Sequence, residues 1–297
     1  MDTRPLLALA ALTAALTVAL TACGQATESA QPSPSAPAAD ARHRLETAKA
    51  DCMKRQGFKY IPYVAPEKPP TEEQRRRNSG DYPAMKKYRQ KYGFGVFAAH
   101  VYPKEMNQPG TEPADNPNKK VQGQLSGAQL GSYKKAGDVC MIAAAKQVLG
   151  LELKSYDDYY EQMNAAVQRA VNEQLDSDPK LVELAGAMAT CLKGKGHTVG
   201  DTTPSAMSGR GQKAFLAQED KLGRAQDPDV PDVAPSVKDG KIAMFYPPTL
   251  TPEEARPYLD KEIKAALDDL ECGKDFYPAY EPRSFAIDRQ VFDRFGM

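Results

Sequence analysis

The chain has 297 residues, with 39 basic and 39 acidic side chains. A formal net charge of zero argues against nucleic acid as a partner and against electrostatic docking on anionic lipid. The length allows one large domain or two small ones.

The first 22 residues have the pattern of an export signal. Arg4 precedes a largely apolar run over residues 6–20, and Leu-Thr-Ala then leads directly to Cys23. A cysteine in this position resembles a bacterial lipobox, in which the sulfur receives a diacylglycerol and the cysteine becomes the first residue after cleavage. We therefore predict a lipoprotein signal peptide over residues 1–22 and lipidation at Cys23. An uncleaved transmembrane helix over residues 5–22 is the alternative.

The next segment, residues 23–41, is predicted to be a tether. After Cys23 it is rich in serine, proline and alanine, a composition that cannot bury an apolar core. As a coil it reaches roughly 25 Å, and in the extended polyproline form about twice that distance. Two acyl chains suffice for stable anchoring. The expected location is the outer face of the cytoplasmic membrane, with the lipid on Cys23 as the contact to the bilayer.

Helix patterns dominate the rest of the chain. Caps, first-turn prolines and apolar periodicity predict helices over residues 41–56, 81–93, 155–176, from 178 through 191 and from 251 through 272. Residues 58–64 alternate and predict a short strand or an extended segment. Two stretches rich in proline, glycine and polar residues, 103–124 and 223–240, predict long loops that are either functional or disordered. The expected fold is mainly α, with few short strands.

Four cysteines follow Cys23, at Cys52, Cys140, Cys191 and Cys272. An even number in an exported protein is typical of two disulfides, for which three connectivities exist. A metal site is not favoured, because no pair has the C-x₂-C spacing of structural zinc and the three histidines are isolated in the sequence.

Cys52 and Cys191 share a local pattern. Each follows Ala-x-Ala-x and precedes an apolar residue, a lysine, two further residues and a glycine. This pattern places both cysteines in the last turns of similar helices. Another cysteine follows 88 residues after the first and 81 after the second. We therefore predict a duplication with two related helical units, residues 42–154, closed by Cys52–Cys140, and residues 155–297, closed by Cys191–Cys272. The alternative is that alanine-rich helix ends resemble each other by chance.

Motifs of known chemistry are missing from the sequence. We find no phosphate loop, dinucleotide fingerprint, G-x-S-x-G elbow or H-E-x-x-H pattern. No catalytic residue, metal ligand or cofactor is predicted. A carboxylate pair brought together only by the fold would leave no such signal.

Tyrosines are the remaining candidates for a binding surface. An aromatic face packs on sugar rings or peptide while the hydroxyl forms hydrogen bonds, although the same residues also fill helical cores. The chain has no tryptophan, which weakens the glycan interpretation. The candidate binding surface comprises Tyr60, Tyr63, Tyr88, Tyr92, Tyr277 and Tyr280.

Several short motifs together resemble secreted lipoproteins of Streptomyces-like actinobacteria. These are the lipobox, the tether, Cys-Met-Lys-x-x-Gly-Phe-x-Tyr from Cys52, Ala-x-Cys-Leu around Cys191 and Asp-Leu-x-Cys ending at Cys272. The resemblance implies a cell-surface lipoprotein, lipidated at Cys23, without an established activity. Lys274 stands one position later than the basic residue expected directly after Cys272.

Three functions follow from these expectations. The first is a non-enzymatic binding or accessory module of the cell envelope, with an envelope protein or a cell-wall component as its ligand. The second is a cell-wall hydrolase or other surface enzyme with an unmarked carboxylate site. The third is a partner or inhibitor of an exported protease. The absence of catalytic motifs favours the first.

Overall fold

The computed structural model describes residues 36–66, 69–106, 116–231 and 244–297. The predicted signal peptide, Cys23 and the first part of the tether lie outside the described residues, as do the centre of the first predicted loop and the last nine residues of the second. The described ranges contain helices and no β-strand, which confirms the mainly α fold. The helices are α1 Ala36–Arg55, α2 Glu72–Asn78, α3 Tyr82–Tyr92, α4 Ala98–Val101, α5 Pro103–Met106, α6 Pro117–Gly123, α7 Gly127–Leu149, α8 Tyr156–Val171, a π-helical turn Asn172–Asp176, α9 Pro179–Gly194, α10 Pro204–Gln226, α11 Pro252–Cys272 and α12 Phe276–Phe295.

Side-chain caps start the helices where the sequence predicts. Asp81, Ser155 and Asp178 each accept a hydrogen bond from a backbone N–H in the first turn of α3, α8 and α9. Thr251 and Glu254 form a reciprocal capping box at the start of α11. These bonds satisfy N–H groups that have no partner within the helix, so the chain enters each helix at a defined residue.

The first helix starts earlier than predicted, because α1 begins at Ala36 and not near residue 41. Residues 36–39 are alanine apart from Pro37. Alanine has the highest helix propensity, and proline is tolerated in a first turn, where its missing N–H has no partner to lose. The last six residues of the predicted tether are therefore helical.

Residues 58–64 form neither a helix nor a strand. Instead, the side-chain amide of Asn118 donates to the carbonyl of Ile61 at 2.8 Å and accepts from its N–H at 2.9 Å. Asn118 is only 3% exposed. A buried amide thus takes the place of a neighbouring strand, which explains why an alternating segment forms no sheet.

Both predicted loops are partly helical. The first contains α5 and α6, and Asn116 caps α6 by accepting from the N–H of Asn118 at 3.0 Å. The second begins inside α10, which continues past Gly223 to Gln226. A Cβ at Gly223 would lie 1.8 Å from the carbonyl oxygen of Tyr246. This glycine therefore lets a later segment pack against the helix and does not end it.

The predicted cysteine pairing is confirmed. Cys52 in α1 is bonded to Cys140 in α7, and Cys191 in α9 is bonded to Cys272 in α11, with Cα–Cα distances of 5.4 and 5.5 Å. The pairing of α1 with α7 is the most extensive contact between two helices. The next most extensive contact joins α3 to α11, on opposite sides of the unit boundary predicted at residue 154.

The largest apolar cluster draws side chains from α1, α3 and α7–α12. A second cluster surrounds the Cys52–Cys140 disulfide, and a third lies between α4, α10 and α11. The third holds a fully buried carboxylate, Glu262, whose oxygens accept from the N–H groups of Phe94, Val96 and Phe97 at 2.8, 2.9 and 2.8 Å. Burial raises the pKa of Glu262, while these donors oppose that shift. The α3–α4 loop is therefore fastened to α11.

Candidate binding surface

The six predicted surface tyrosines lie in three different environments. Tyr277 and Tyr280 are 1% and 5% exposed, so their assignment to a binding surface is wrong. They follow Phe276 on the inner face of α12, where the rings of Phe276 and Tyr280 stack at 5.0 Å. Helical spacing places these rings on the side that packs against the core.

Tyr60 and Tyr63 are half-buried against α1. The hydroxyl of Tyr60 donates to Glu46 at 2.7 Å, and Lys49 lies 4.8 Å from the centre of its ring. The backbone N–H of Tyr63 reaches the same carboxylate at 3.4 Å. Burial, and then the hydrogen bond to Glu46, raises the pKa of Tyr60. These contacts hold residues 58–64 on α1 and occupy the polar group of Tyr60.

Tyr88 and Tyr92 form part of a continuous aromatic surface. They are four residues apart on α3, and their ring centres are 4.9 Å apart. Tyr102, after α4, adds a third ring whose centre is 5.8 Å from that of Tyr92, nearly perpendicular to it. All three rings are half-buried. We call Tyr88, Tyr92 and Tyr102 the tyrosine strip.

Each ring of the tyrosine strip has a cation beside it. The guanidinium of Arg77 lies 4.0 Å from the centre of Tyr88. The ammonium of Lys91 lies 5.0 Å from Tyr92 and 5.1 Å from Tyr102. Arg256 lies 5.2 Å from Tyr102 and donates to its hydroxyl at 2.9 Å. Cations and rings therefore alternate along the strip.

The inner side of the tyrosine strip rests on the third apolar cluster. Tyr92 and Tyr102 pack against buried side chains of this cluster, which includes Val96, Phe97 and Leu259. Because Glu262 fastens the loop between α3 and α4, the positions of Tyr92 and Tyr102 are set by buried contacts. The surface is thus held in place before any ligand arrives.

The strip lies on a locally cationic part of a neutral chain. Residues 72–92, which contain α2 and α3, include seven basic and three acidic side chains. Two of the seven cations add little to the surface charge, because Arg89 is buried against Asp269 and Lys91 donates to Glu105, which also accepts from Tyr92. An open depression of about 270 Å³ also lies between α2 and α3. Its lining residues are Glu72, Glu73, Arg76, Pro83, Ala84 and Lys87. The local excess of cations favours an anionic ligand.

Asp269 is a second buried carboxylate, after Glu262, and lies beneath α3. Asp269 accepts from Arg89 at 2.7 Å, from Arg210 at 3.1 Å and from the hydroxyl of Tyr277. Burial, and then the charge of Asp269, raises the pKa of Tyr277. These bonds link α3, α10, α11 and α12, so we assign the group a structural role.

One carboxyl near this group has a strongly altered acidity. Burial raises the pKa of Glu281 to about 7, even though Arg89 opposes the shift and Asp288 adds to it. Burial also raises the pKa of Asp288. A carboxyl that titrates near neutrality has the acidity that a general acid requires.

Sequence reasoning missed the cations of the strip and the buried acids. Arg256 and Tyr102 are 154 positions apart, and no local pattern connects them. The buried acids did leave a signal. Glu262 and Asp269 fall on the apolar stripe of α11 that also contains Ala255, Leu259 and Ala266. An acid on such a stripe indicates a buried, hydrogen-bonded carboxylate.

Within the described ranges, no helix combines the length and apolar character that crossing a bilayer requires. The same ranges contain no group of three or more histidine, cysteine or acidic side chains arranged to hold a metal ion. Comparison of the chain with family models, curated proteins and solved structures finds no match.

Proposed function

We propose that this chain is a lipid-anchored lipoprotein on the outer face of the cytoplasmic membrane, and that it binds an anionic polymer of the cell wall. The lipobox pattern at Cys23 supports the anchor. The observation that carries the binding proposal is the tyrosine strip, in which three rings alternate with the cations Arg77, Lys91 and Arg256.

The strip matches the chemistry of a charged polysaccharide. Tyrosine rings pack on the apolar faces of sugar rings, and guanidinium and ammonium groups bind phosphate or carboxylate. An exposed contact of this type contributes on the order of 1 kcal/mol or less to the free energy of binding. A repeating polymer compensates for weak single contacts, because many sites on one chain raise the effective concentration.

A sedimentation assay tests this proposal. The full-length protein, in mild detergent, is mixed with purified wall before and after chemical removal of its anionic polymers, and the pelleted fraction is measured. We expect binding to untreated wall only, and weaker binding as the salt concentration rises. The double variant Tyr92→Leu with Arg77→Gln should lower the affinity about tenfold, the equivalent of about 1.4 kcal/mol.

The matched control is Tyr160→Leu. Tyr160 also belongs to a pair of tyrosines four residues apart on a helix, Tyr156 and Tyr160 on α8, with ring centres at 5.2 Å. Equal losses in the control and the double variant would show that the strip is not the binding site. If the protein does not pellet at all, an exported protein, such as a protease, becomes the better candidate partner.

A surface hydrolase is the second candidate, favoured by one observation. Glu281 has a pKa raised to about 7, with Asp288 nearby. In the same assay, mass spectrometry of the supernatant detects soluble wall fragments. Fragments that disappear with Glu281→Gln would support the enzyme, whereas pelleting without fragments supports the binding module.

A further inference from the structure

The beginning of α1 and the end of α12 lie together in the structure. Arg42, in the second turn of α1, is 3.8 Å from Asp293, near the end of α12. A Cβ at Gly296 would lie 3.4 Å from the side chain of Leu45. The second and third turns of α1 therefore lie beside the last turn of α12, and α1 begins at Ala36, about 9 Å along the helix axis before Arg42.

Exposed apolar side chains concentrate at this end of the body. Seven large hydrophobic residues of the described ranges are exposed, and four of them are on α8 or at the end of α12. Tyr159 connects the two helices, because its ring lies 5.7 Å from that of Phe295 and its hydroxyl donates to the Phe295 carbonyl at 2.6 Å. We call the exposed set the apolar end: Tyr156, Tyr160, Phe292 and Met297, which are 40, 37, 39 and 42% exposed.

The length of the tether limits how far this end can move from the lipid. Twelve residues, 24–35, separate Cys23 from the first residue of α1. A coil of that length spans about 20 Å, and an extended polyproline segment about 40 Å. Because the tether joins α1 only about two turns before the contact of α1 with the end of α12, the tether keeps the apolar end within reach of the bilayer.

We infer that the apolar end rests on the phospholipid surface to which the chain is anchored. This inference depends on the proposed lipid at Cys23. Tyrosine and phenylalanine suit the boundary between headgroups and acyl chains, where one part of the side chain is apolar and the other is wet. Arg294 is exposed at the end of α12 and supplies a cation for lipid phosphates, whereas the exposed Arg44 on α1 is paired with Asp40 at 3.3 Å. The contact would orient the body and leave other surfaces directed away from the membrane.

Tryptophan reporters test the contact, since the chain has no tryptophan of its own. Full-length protein is reconstituted into vesicles of phosphatidylcholine and phosphatidylglycerol, with or without bromine on the acyl chains. Phe292→Trp places a reporter at the apolar end, and Phe245→Trp is the matched control. Phe245 is 46% exposed and precedes Tyr246, which contacts Asp220 and Arg224 of α10 and the carbonyl of Pro231.

We expect Phe292→Trp to emit at shorter wavelength in vesicles and to lose about half of its emission with brominated lipid, as for a side chain at the headgroup–acyl boundary. Tyr160→Trp should respond in the same direction, and Phe245→Trp should not respond. Thermal melting that matches the unsubstituted protein establishes that each variant is folded.

Two results would overturn the inference. If the vesicles carry the protein but neither Phe292→Trp nor Tyr160→Trp is quenched, the body is held away from the lipid while the anchor remains. Equal quenching of the Phe245→Trp control would show that the body has no preferred face. Flotation with the vesicles, and its loss in Cys23→Ala, tests the anchor separately, and wall sedimentation tests the tyrosine strip. Without flotation, both the anchor and the inference fail.

Discussion

The helix ends that carry Cys52 and Cys191 have the same local structure. The N–H of Phe58 donates to the carbonyl of Met53 at 2.9 Å, and the N–H of His197 donates to that of Leu192 at 3.0 Å. In each case the glycine five residues after the cysteine has a positive φ, +81° at Gly57 and +85° at Gly196. The repeated sequence pattern therefore specifies a repeated helix end.

The surroundings of the two disulfides differ. Cys52 and Cys140 are 7% and 0% exposed and lie in their own apolar cluster. Cys191 is exposed and Cys272 is half-buried. Similar short sequences thus produce similar helix ends, whereas the depth of each disulfide depends on the helices packed around it.

The largest expected effect comes from removing the disulfides. Replacing Cys52 and Cys140 by alanine should lower the free energy of unfolding by about 6 kcal/mol, and replacing Cys191 and Cys272 by about 4.5 kcal/mol. The closed loops are similar, at 88 and 81 residues, so chain entropy alone predicts nearly equal losses. The difference arises because the first pair also removes buried sulfur contacts. Urea unfolding of both double variants measures it, and equal losses would show that loop entropy dominates.

The second-largest expected effect is a change of stability with pH, which arises from acidic residues in the C-terminal half. Three acidic residues with raised pKa values, Glu262, Glu281 and Asp288, are on α11 and α12. Glu281 has an ordinary pKa of 4.5 and a folded value of about 7. Between these values the folded chain holds a proton that the unfolded chain has lost. Stability should therefore decrease as pH rises through this range, by at most about 3 kcal/mol for Glu281.

Denaturant unfolding at a series of pH values measures this slope. Glu281→Gln carries no titrating carboxyl, so its stability should change less with pH between about 4.5 and 7. A slope that is unchanged in this variant would assign the pH dependence to Glu262 and Asp288 instead.

The smallest expected effect comes from replacing the two glycines that cap the helix ends, Gly57 and Gly196. Gly57→Ala and Gly196→Ala should each lower stability by about 1 kcal/mol, because alanine is strained at positive φ. A Cβ at either position would have no neighbour within 4 Å, so backbone strain is the only expected cost. Thermal melting of the two single variants checks this expectation. A clear difference between them would contradict the equivalence of the two helix ends.

Local interactions explain which parts of the structure are predictable. Thr251 and Asp178 start helices through hydrogen bonds to residues three positions away, so their roles are visible in the sequence. Tyr277 and Tyr92 both look like surface aromatics, and only the packing of α12 and α3 separates a buried ring from a half-buried one. The tyrosine strip also depends on Arg256, which is brought to Tyr102 by the contact between α4 and α11. Contacts of that kind have no local signature.

The fastening of the α3–α4 loop by Glu262 has a consequence for how this protein can diversify. A Cβ at Gly93 would lie 2.7 Å from the Glu262 side chain, so both positions tolerate little change. Lys91 and Arg256 are exposed and can vary without disturbing the interior. Among descendants of this sequence, the spacing between Tyr92 and Tyr102 should therefore persist while the charges beside them drift. Such lineages would keep the same distance between the two tyrosine rings and differ in which charged ligands they prefer.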